Sequence, residues 1–108
     1  MPAYEPTVHQ PKVADLRLVA SKAKRAKMNY TYLIQSKIKK WVYIGSTKDL
    51  LKRFDEHNNG KIKSTKGLIP FRLVYYKAYQ TYSLARKREI ELKKNGQQKE
   101  MLFRRLGL

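Results

Sequence analysis

The chain has 108 residues and a formal net charge of +17, from 25 Lys and Arg against 8 Asp and Glu. That length allows one domain with a short appendage. The absence of cysteine excludes disulfides, thiolate metal sites and a cysteine nucleophile, and His9 and His57 alone supply imidazole, which excludes a His-rich metal centre.

No apolar run approaches the roughly 18 residues of a membrane span, and none near Met1 reads as a secretory signal. The expectation is therefore no membrane partner and a cytoplasmic location, associated with nucleoid or ribonucleoprotein. Solubility alone needs a net charge of only about 2–8. An excess of +17 points instead to nucleic acid, whose released counterions favour a basic surface.

Residues 1–28 differ from the rest and read as a basic N-terminal extension. Pro2, Pro6 and Pro11 make its start extended or irregular. From Val13 to Met28 the pattern becomes helical, with Val13, Leu16, Ala20 and Ala23 on one stripe and Arg17, Lys24, Arg25 and Lys27 largely off it. Such a helix suits docking on nucleic acid or on a partner, and a frayed tail fits as well.

Residues 29–108 carry the remaining 19 cations and 6 acids. Tyr30–Gln35 and Trp41–Gly45 read as two strands, and the short Ser36–Lys40 link makes them an antiparallel hairpin. No Gly or Asn marks that turn, so its geometry stays open. Alternation places Tyr30, Tyr32 and Ile34 on one face of the first strand, and Trp41, Tyr43 and Gly45 on one face of the second. Tyr32 and Tyr43 can then meet, as ordinary cross-strand aromatic pairs also do.

Ser46 or Thr47 is expected to cap a helix with Asp49 in its first turn, ending near Asn59 with Gly60 as a left-handed stop. Leu50, Leu51 and Phe54 give its core contact. Arg53 and His57, four apart, share a face, and Asp49 with Arg53 and Lys52 with Glu56 are at pairing distance. On composition alone Arg53 is a surface ion-pair partner, and His57 favours the helix C-terminus.

The loop Lys61-Ile62-Lys63-Ser64-Thr65-Lys66-Gly67 offers cations and hydroxyls suited to phosphate oxygens. Phe71–Tyr79 reads as a third strand, followed by helices over Thr81–Lys94 and Gln97–Arg105. On the first of these, Leu84, Ala85 and Leu92 define the expected buried stripe. Glu89 and Glu91 lie near its opposite edges, so periodicity leaves open which of them, if either, faces the tyrosines.

The order of these segments is recognisable. Tyr30-Thr31-Tyr32, then Tyr43-Ile44-Gly45, then Lys48-Asp49-Leu50-Leu51-Lys52-Arg53 with His57, and later Ala85-Arg86-Lys87-Arg88-Glu89 with Leu92-Lys93, resemble the GIY-YIG nuclease domain. The likeness is to its small stand-alone, bacterial-type members and covers about residues 29–106. The first motif departs from the family pattern, with Tyr-Thr-Tyr in place of Gly-Ile-Tyr.

The resemblance implies an α+β fold, a three-stranded antiparallel sheet flanked by helices. It also implies one divalent metal ion, Mg²⁺ or Mn²⁺, on a single glutamate, whose matching position is Glu89. Tyr43 matches the tyrosine that activates the attacking water, Tyr32 the first-motif tyrosine lining the site, Arg53 the arginine on the scissile phosphate, and His57 the polar residue one turn on. Lys48, Lys52, Lys61, Lys63, Lys66, Arg86 and Lys93 are the cations expected on nucleic acid. The implied function is metal-dependent hydrolysis of DNA with little sequence preference. A binding protein that keeps the fold for its basic surface, in a ribonucleoprotein such as a ribosome, is the alternative.

Overall fold

The computed structural model describes residues 28–108, so the helix expected over Val13–Met28 lies almost wholly outside the described residues. The elements run β1 (Asn29–Ser36), β2 (Val42–Thr47), α1 (Leu50–Asn58), a 3-10 turn (Lys66–Leu68), β3 (Phe71–Tyr79), α2 (Tyr82–Lys94) and α3 (Gly96–Leu106). The strands form one antiparallel sheet in the order β2-β1-β3. This is the α+β arrangement the motif order implies.

Strand β1 is central because it is apolar on both faces. Tyr30, Tyr32 and Ile34 join Leu50 of α1 and Phe71 and Leu73 of β3 in one core. Leu33, on the opposite face, joins Ile44, Val74, Leu92 of α2 and Leu102 of α3 in a second. Helix α1 thus covers one face of the sheet, and α2 with α3 the other. The pairing of β1 with β3 slips between Leu33 and Ile34, which face Tyr75 and Leu73 respectively. Val74 is the extra residue of this bulge, so Val74 and Tyr75 both pack on the second core.

Three side chains set the register of these layers. Ser36 closes the hairpin turn in place of Gly or Asn. Its Oγ accepts from the amides of Ile38 and Lys39, both at 3.2 Å. Asn58 ties α1 to β3, donating to the Phe71 carbonyl at 3.2 Å and accepting from the Phe71 amide at 2.6 Å. Thr31 Oγ1 donates to the Ala85 carbonyl at 2.7 Å and fixes α2 on β1.

Two expectations need correction. Helix α1 is capped by Asp49, whose carboxylate accepts from the Lys52 amide at 3.2 Å, because Ser46 and Thr47 are spent completing β2. Leu84 is 49% exposed, and the buried stripe of α2 is Ala85, Glu89 and Leu92. Ala85, Glu89 and Leu92 recur at i, i+4 and i+7, whereas Leu84 stands about 100° round the helix from Ala85.

Candidate functional site

The site gathers at β2, an edge strand. Tyr32 pairs with Gly45, and Tyr43 with Ile34, so both tyrosines project from the α1 face. Their ring centroids are 6.2 Å apart, and both rings approach the His57 imidazole, at 5.8 Å and 4.9 Å. Glycine at 45 is a steric requirement. A Cβ there would stand 2.6 Å from the Tyr32 hydroxyl oxygen and 2.9 Å from Cε2 of Tyr43. Gly45→Ala is expected to push the tyrosines apart and cost about 1–3 kcal/mol, measurable by denaturant unfolding.

His57 is fully buried, which the helical spacing alone did not require. Its Nε2 lies 2.8 Å from the Tyr32 hydroxyl and its Nδ1 2.9 Å from Thr65 Oγ1. Thr65 Oγ–H in turn points to the Ile62 carbonyl at 3.4 Å. A consistent assignment gives Nδ1 the proton, so that Nε2 accepts from Tyr32. The Arg53 guanidinium acts on the same Tyr32 hydroxyl by hydrogen bonding and by charge.

This network sets two protonation states. Burial, reinforced by Tyr43, pushes the Tyr32 phenol well above its ordinary range against the pull of Arg53, so Tyr32 stays protonated. Burial, and then the Arg53 charge, lower His57 to about 4, with Glu56 opposing. His57 is therefore neutral near pH 7 and can accept from the Tyr32 hydroxyl.

A stability prediction follows from that depressed value. Above about pH 6.5 the imidazole is neutral in both folded and unfolded chains, and its contribution is fully present. As pH falls from 6.5 towards about 4, only the unfolded chain takes up the proton, and stability is lost. The loss should be on the order of 3 kcal/mol at completion. Urea unfolding of the wild type and His57→Gln between pH 7 and 4 should give a steeper decline for the wild type.

Thr65 was grouped by sequence with the phosphate-facing loop hydroxyls. It is fully buried on His57, while Lys61, Lys63, Ser64 and Lys66 around it are exposed. The loop thus carries cations outward and one hydroxyl inward. Nothing in the sequence separates Ser64 from Thr65 in this respect.

Glu89 approaches from α2. Glu89 is 4% exposed, its carboxylate accepting from Ser46 Oγ at 2.5 Å and Lys93 Nζ at 2.6 Å and pairing with Arg86 at 2.8 Å. Burial works against its ionised form, but Lys93, Ser46 and Arg86 together hold it below the usual carboxylate range. Glu91 is exposed and pairs with Arg88, so of the two glutamates the buried one is the one the resemblance singles out.

Ser46 lies on the opposite face of β2 from Tyr43 by strand alternation. The site therefore wraps the edge of the sheet, with the aromatic–imidazole network on one side and the carboxylate on the other. Lys93 connects the two, bonded to Glu89 and lying 5.6 Å from the Tyr43 ring centre.

Beside this edge opens a cleft of about 380 Å³ between the starts of α1 and α2. Lys48, Lys52, Arg53, Glu56, Ser46 and Tyr82 are among its walls. Arg53 pairs there with Glu56 at 3.4 Å, in place of the expected Asp49. Lys48 Nζ lies 5.5 Å from the Tyr82 ring centre. Ser46 as the partner of Glu89 and Tyr82 as a cleft wall are not among the residues the sequence singles out. Strand alternation at 44–46 was the available signal for the first, and there was none for the second.

The donor set suits a hard divalent cation. Mg²⁺ takes one or two carboxylates and completes its shell with water, and Glu89 offers one ionised carboxylate. The half-exposed Arg86 and Lys93 side chains can turn aside to admit it. Among the described residues no group of three or more His, Cys, Asp or Glu side chains gathers as a metal cage, so Glu89 is a lone carboxylate.

This sheet, with its paired tyrosines, arginine and buried glutamate at one edge, has the order of motifs expected of a nuclease-like domain. The profile of the GIY-YIG catalytic domain matches residues 28–101, and the chain belongs to that family. It is 40% identical over 74 residues to a UPF0213 protein of Staphylococcus saprophyticus, covering 68% of this chain and 89% of the relative. A UPF0213 protein of Clostridium perfringens is 40% identical over 68 residues, covering 62% of this chain and 72% of the relative. One from Staphylococcus aureus is 43% identical over 61 residues, covering 56% and 74%. No solved structure matches the chain. Among the described residues no helix is long and apolar enough to cross a membrane.

Proposed function

We propose that this protein is a metal-dependent endonuclease that hydrolyses phosphodiester bonds in DNA with little sequence preference. The observation that carries this reading is the convergence of Tyr32, Tyr43, Arg53 and His57 with the buried Glu89 at one sheet edge, next to a basic cleft. The exposed cations around the cleft address phosphate oxygens, which carry no sequence information, so DNA is held mainly by its backbone.

Each residue then has a chemical task. Arg53, on the cleft wall, offers forked hydrogen bonds to the non-bridging oxygens of the scissile phosphate. Tyr43 is partly exposed, beside a neutral imidazole and an ammonium; as the phenolate its Oη takes the proton of the attacking water and is left as the neutral phenol. Tyr32 keeps its proton and, held by His57 and Thr65, fixes the wall against which Tyr43 packs. Glu89 would hold Mg²⁺ or Mn²⁺, and the metal when bound supplies Lewis acidity to the phosphate and the departing oxygen. Lys48, Lys52, Arg86 and Lys93 surround this centre, all exposed.

Labelled single-stranded, duplex and branched DNA, with RNA in parallel, should be cut with Mg²⁺ or Mn²⁺ and spared in EDTA. A second reading is favoured by one feature. Glu89 is already fully paired by Ser46, Arg86 and Lys93, as in a structural ion cluster. On that reading the protein binds RNA and cuts nothing, and tight binding without cleavage under either metal decides for it.

The basic loop serves affinity in both readings. Changing Lys61, Lys63 and Lys66 together to Ala should weaken binding to all sequences. The slope of log affinity against log salt should fall by about one for each lysine that touches phosphate. Unchanged binding across a salt titration would make the loop a solvated connection.

A further inference from the structure

The hairpin turn between β1 and β2 has no part in the chemistry above. It exposes Lys37, Lys39 and Lys40 and leads into Trp41, which is 37% exposed. The turn is rigidly seated. The Ser36 amide donates to the Trp41 carbonyl at 3.0 Å and the Lys37 amide to the Pro70 carbonyl at 2.9 Å. Ser36 Oγ donates to the Leu68 carbonyl at 2.7 Å. These bonds fasten the turn to the end of the Lys61–Gly67 loop, so two cationic segments lie side by side. No acidic residue falls within 36–41 or 61–70.

The indole is placed for more than packing. Its ring centre is 6.2 Å from those of Tyr43 and Phe71, both tilted, so the indole leans on the proposed active-site tyrosine and keeps part of its surface exposed. A partly exposed aromatic ring beside lysines, next to the proposed catalytic tyrosine, matches the combination that holds single-stranded nucleic acid. There cations follow the backbone and an aromatic surface receives a base. Bases in a duplex are already stacked and present only their edges, so this ring distinguishes paired from unpaired strands.

We propose that Trp41, with Lys37, Lys39 and Lys40, forms a subsite for an unpaired nucleotide of single-stranded nucleic acid next to Tyr43. The indole stacks on the base and the lysines take the flanking phosphates. The proposal rests on the nucleic-acid reading of the same site and names its substrate class, a strand that is single or locally unpaired. Exposed Ile38 beside the lysines also has the chemistry of a contact with an anionic lipid surface. The contact of Trp41 with Tyr43, instead of a position remote from the site, favours the nucleotide.

Trp41 is the single tryptophan of the chain, so its emission reports on this subsite directly. The full-length protein in EDTA is titrated with a short oligodeoxythymidylate, a duplex of equal length, inorganic polyphosphate and phosphatidylserine vesicles. The single strand should quench the emission strongly and saturably, and the other three should leave it largely unchanged. Trp41→Leu should lower single-strand affinity on the order of tenfold with duplex affinity kept, and Trp41→Phe should recover part of the loss. Equal quenching by duplex or polyphosphate, a response to vesicles alone, or unchanged single-strand affinity in Trp41→Leu overturns the subsite. Because EDTA prevents cleavage, the two readings fail separately. Absent quenching with intact Mg²⁺-dependent cleavage removes the subsite alone, and strong quenching without cleavage under Mg²⁺ or Mn²⁺ removes the endonuclease alone.

Discussion

Glu89→Gln is expected to abolish cleavage while leaving nucleic-acid binding intact or slightly tighter. The substitution keeps the volume and one carbonyl acceptor for Ser46, but removes the anion that Arg86 and Lys93 now neutralise. A divalent ion held by one carboxylate loses its protein ligand, and with it several kcal/mol of transition-state stabilisation. At about 1.4 kcal/mol per tenfold, turnover should fall on the order of a thousandfold or more. Affinity should move the other way, because the two released cations add to a surface that already attracts phosphate. Single-turnover cleavage with Mg²⁺ and filter binding in EDTA measure the two quantities separately. Full activity in Glu89→Gln would place the metal elsewhere and make Glu91, exposed and paired with Arg88, the next residue to change.

Arg53→Ala should reduce turnover by about a hundredfold to a thousandfold, the usual cost of removing one preorganised donor from developing charge. Its effect on affinity should stay within a few-fold, since one cation among many contributes little to binding the ground state. The side chain has a second connection, through the Tyr32 hydroxyl, so its loss also loosens the Tyr32–His57 pair. Arg53→Lys separates the two tasks. It restores charge but not the planar fork, and should recover binding with little of the turnover. If Arg53→Ala lowers affinity and leaves turnover unchanged, the guanidinium belongs with the loop lysines as a phosphate contact.

Much of the fold was legible because it is written in local patterns. Alternation put Tyr32 and Tyr43 on one face, and the 6.2 Å approach of their rings follows directly from the pairing of Tyr32 with Gly45. The third strand, Phe71–Tyr79, lies between a proline and a helix cap, and its bounds were read without error. Gly60 stops α1 with φ +72°, where a left-handed residue was expected. Ser36 was less legible. A serine that turns the chain by capping it from its own side chain leaves no glycine or asparagine to read.

The sequence by itself determined the charge, the strand and helix order, and the motif spacing that marks the family, since each depends on residues near one another in the chain. The family resemblance singles out Glu89 over Glu91, and the tertiary structure adds that Glu89 is buried while Glu91 is exposed. Helical period places the two almost symmetrically about the stripe. What period does not contain is the seating of α2: Thr31 fastens the Ala85 carbonyl, and Glu89 meets Ser46 on β2. The same holds for His57 and Thr65, eight residues apart across a loop and meeting at 2.9 Å. Whether an imidazole is a surface base or a buried neutral strut depends on the layer that closes over it, and no short window of sequence contains that layer.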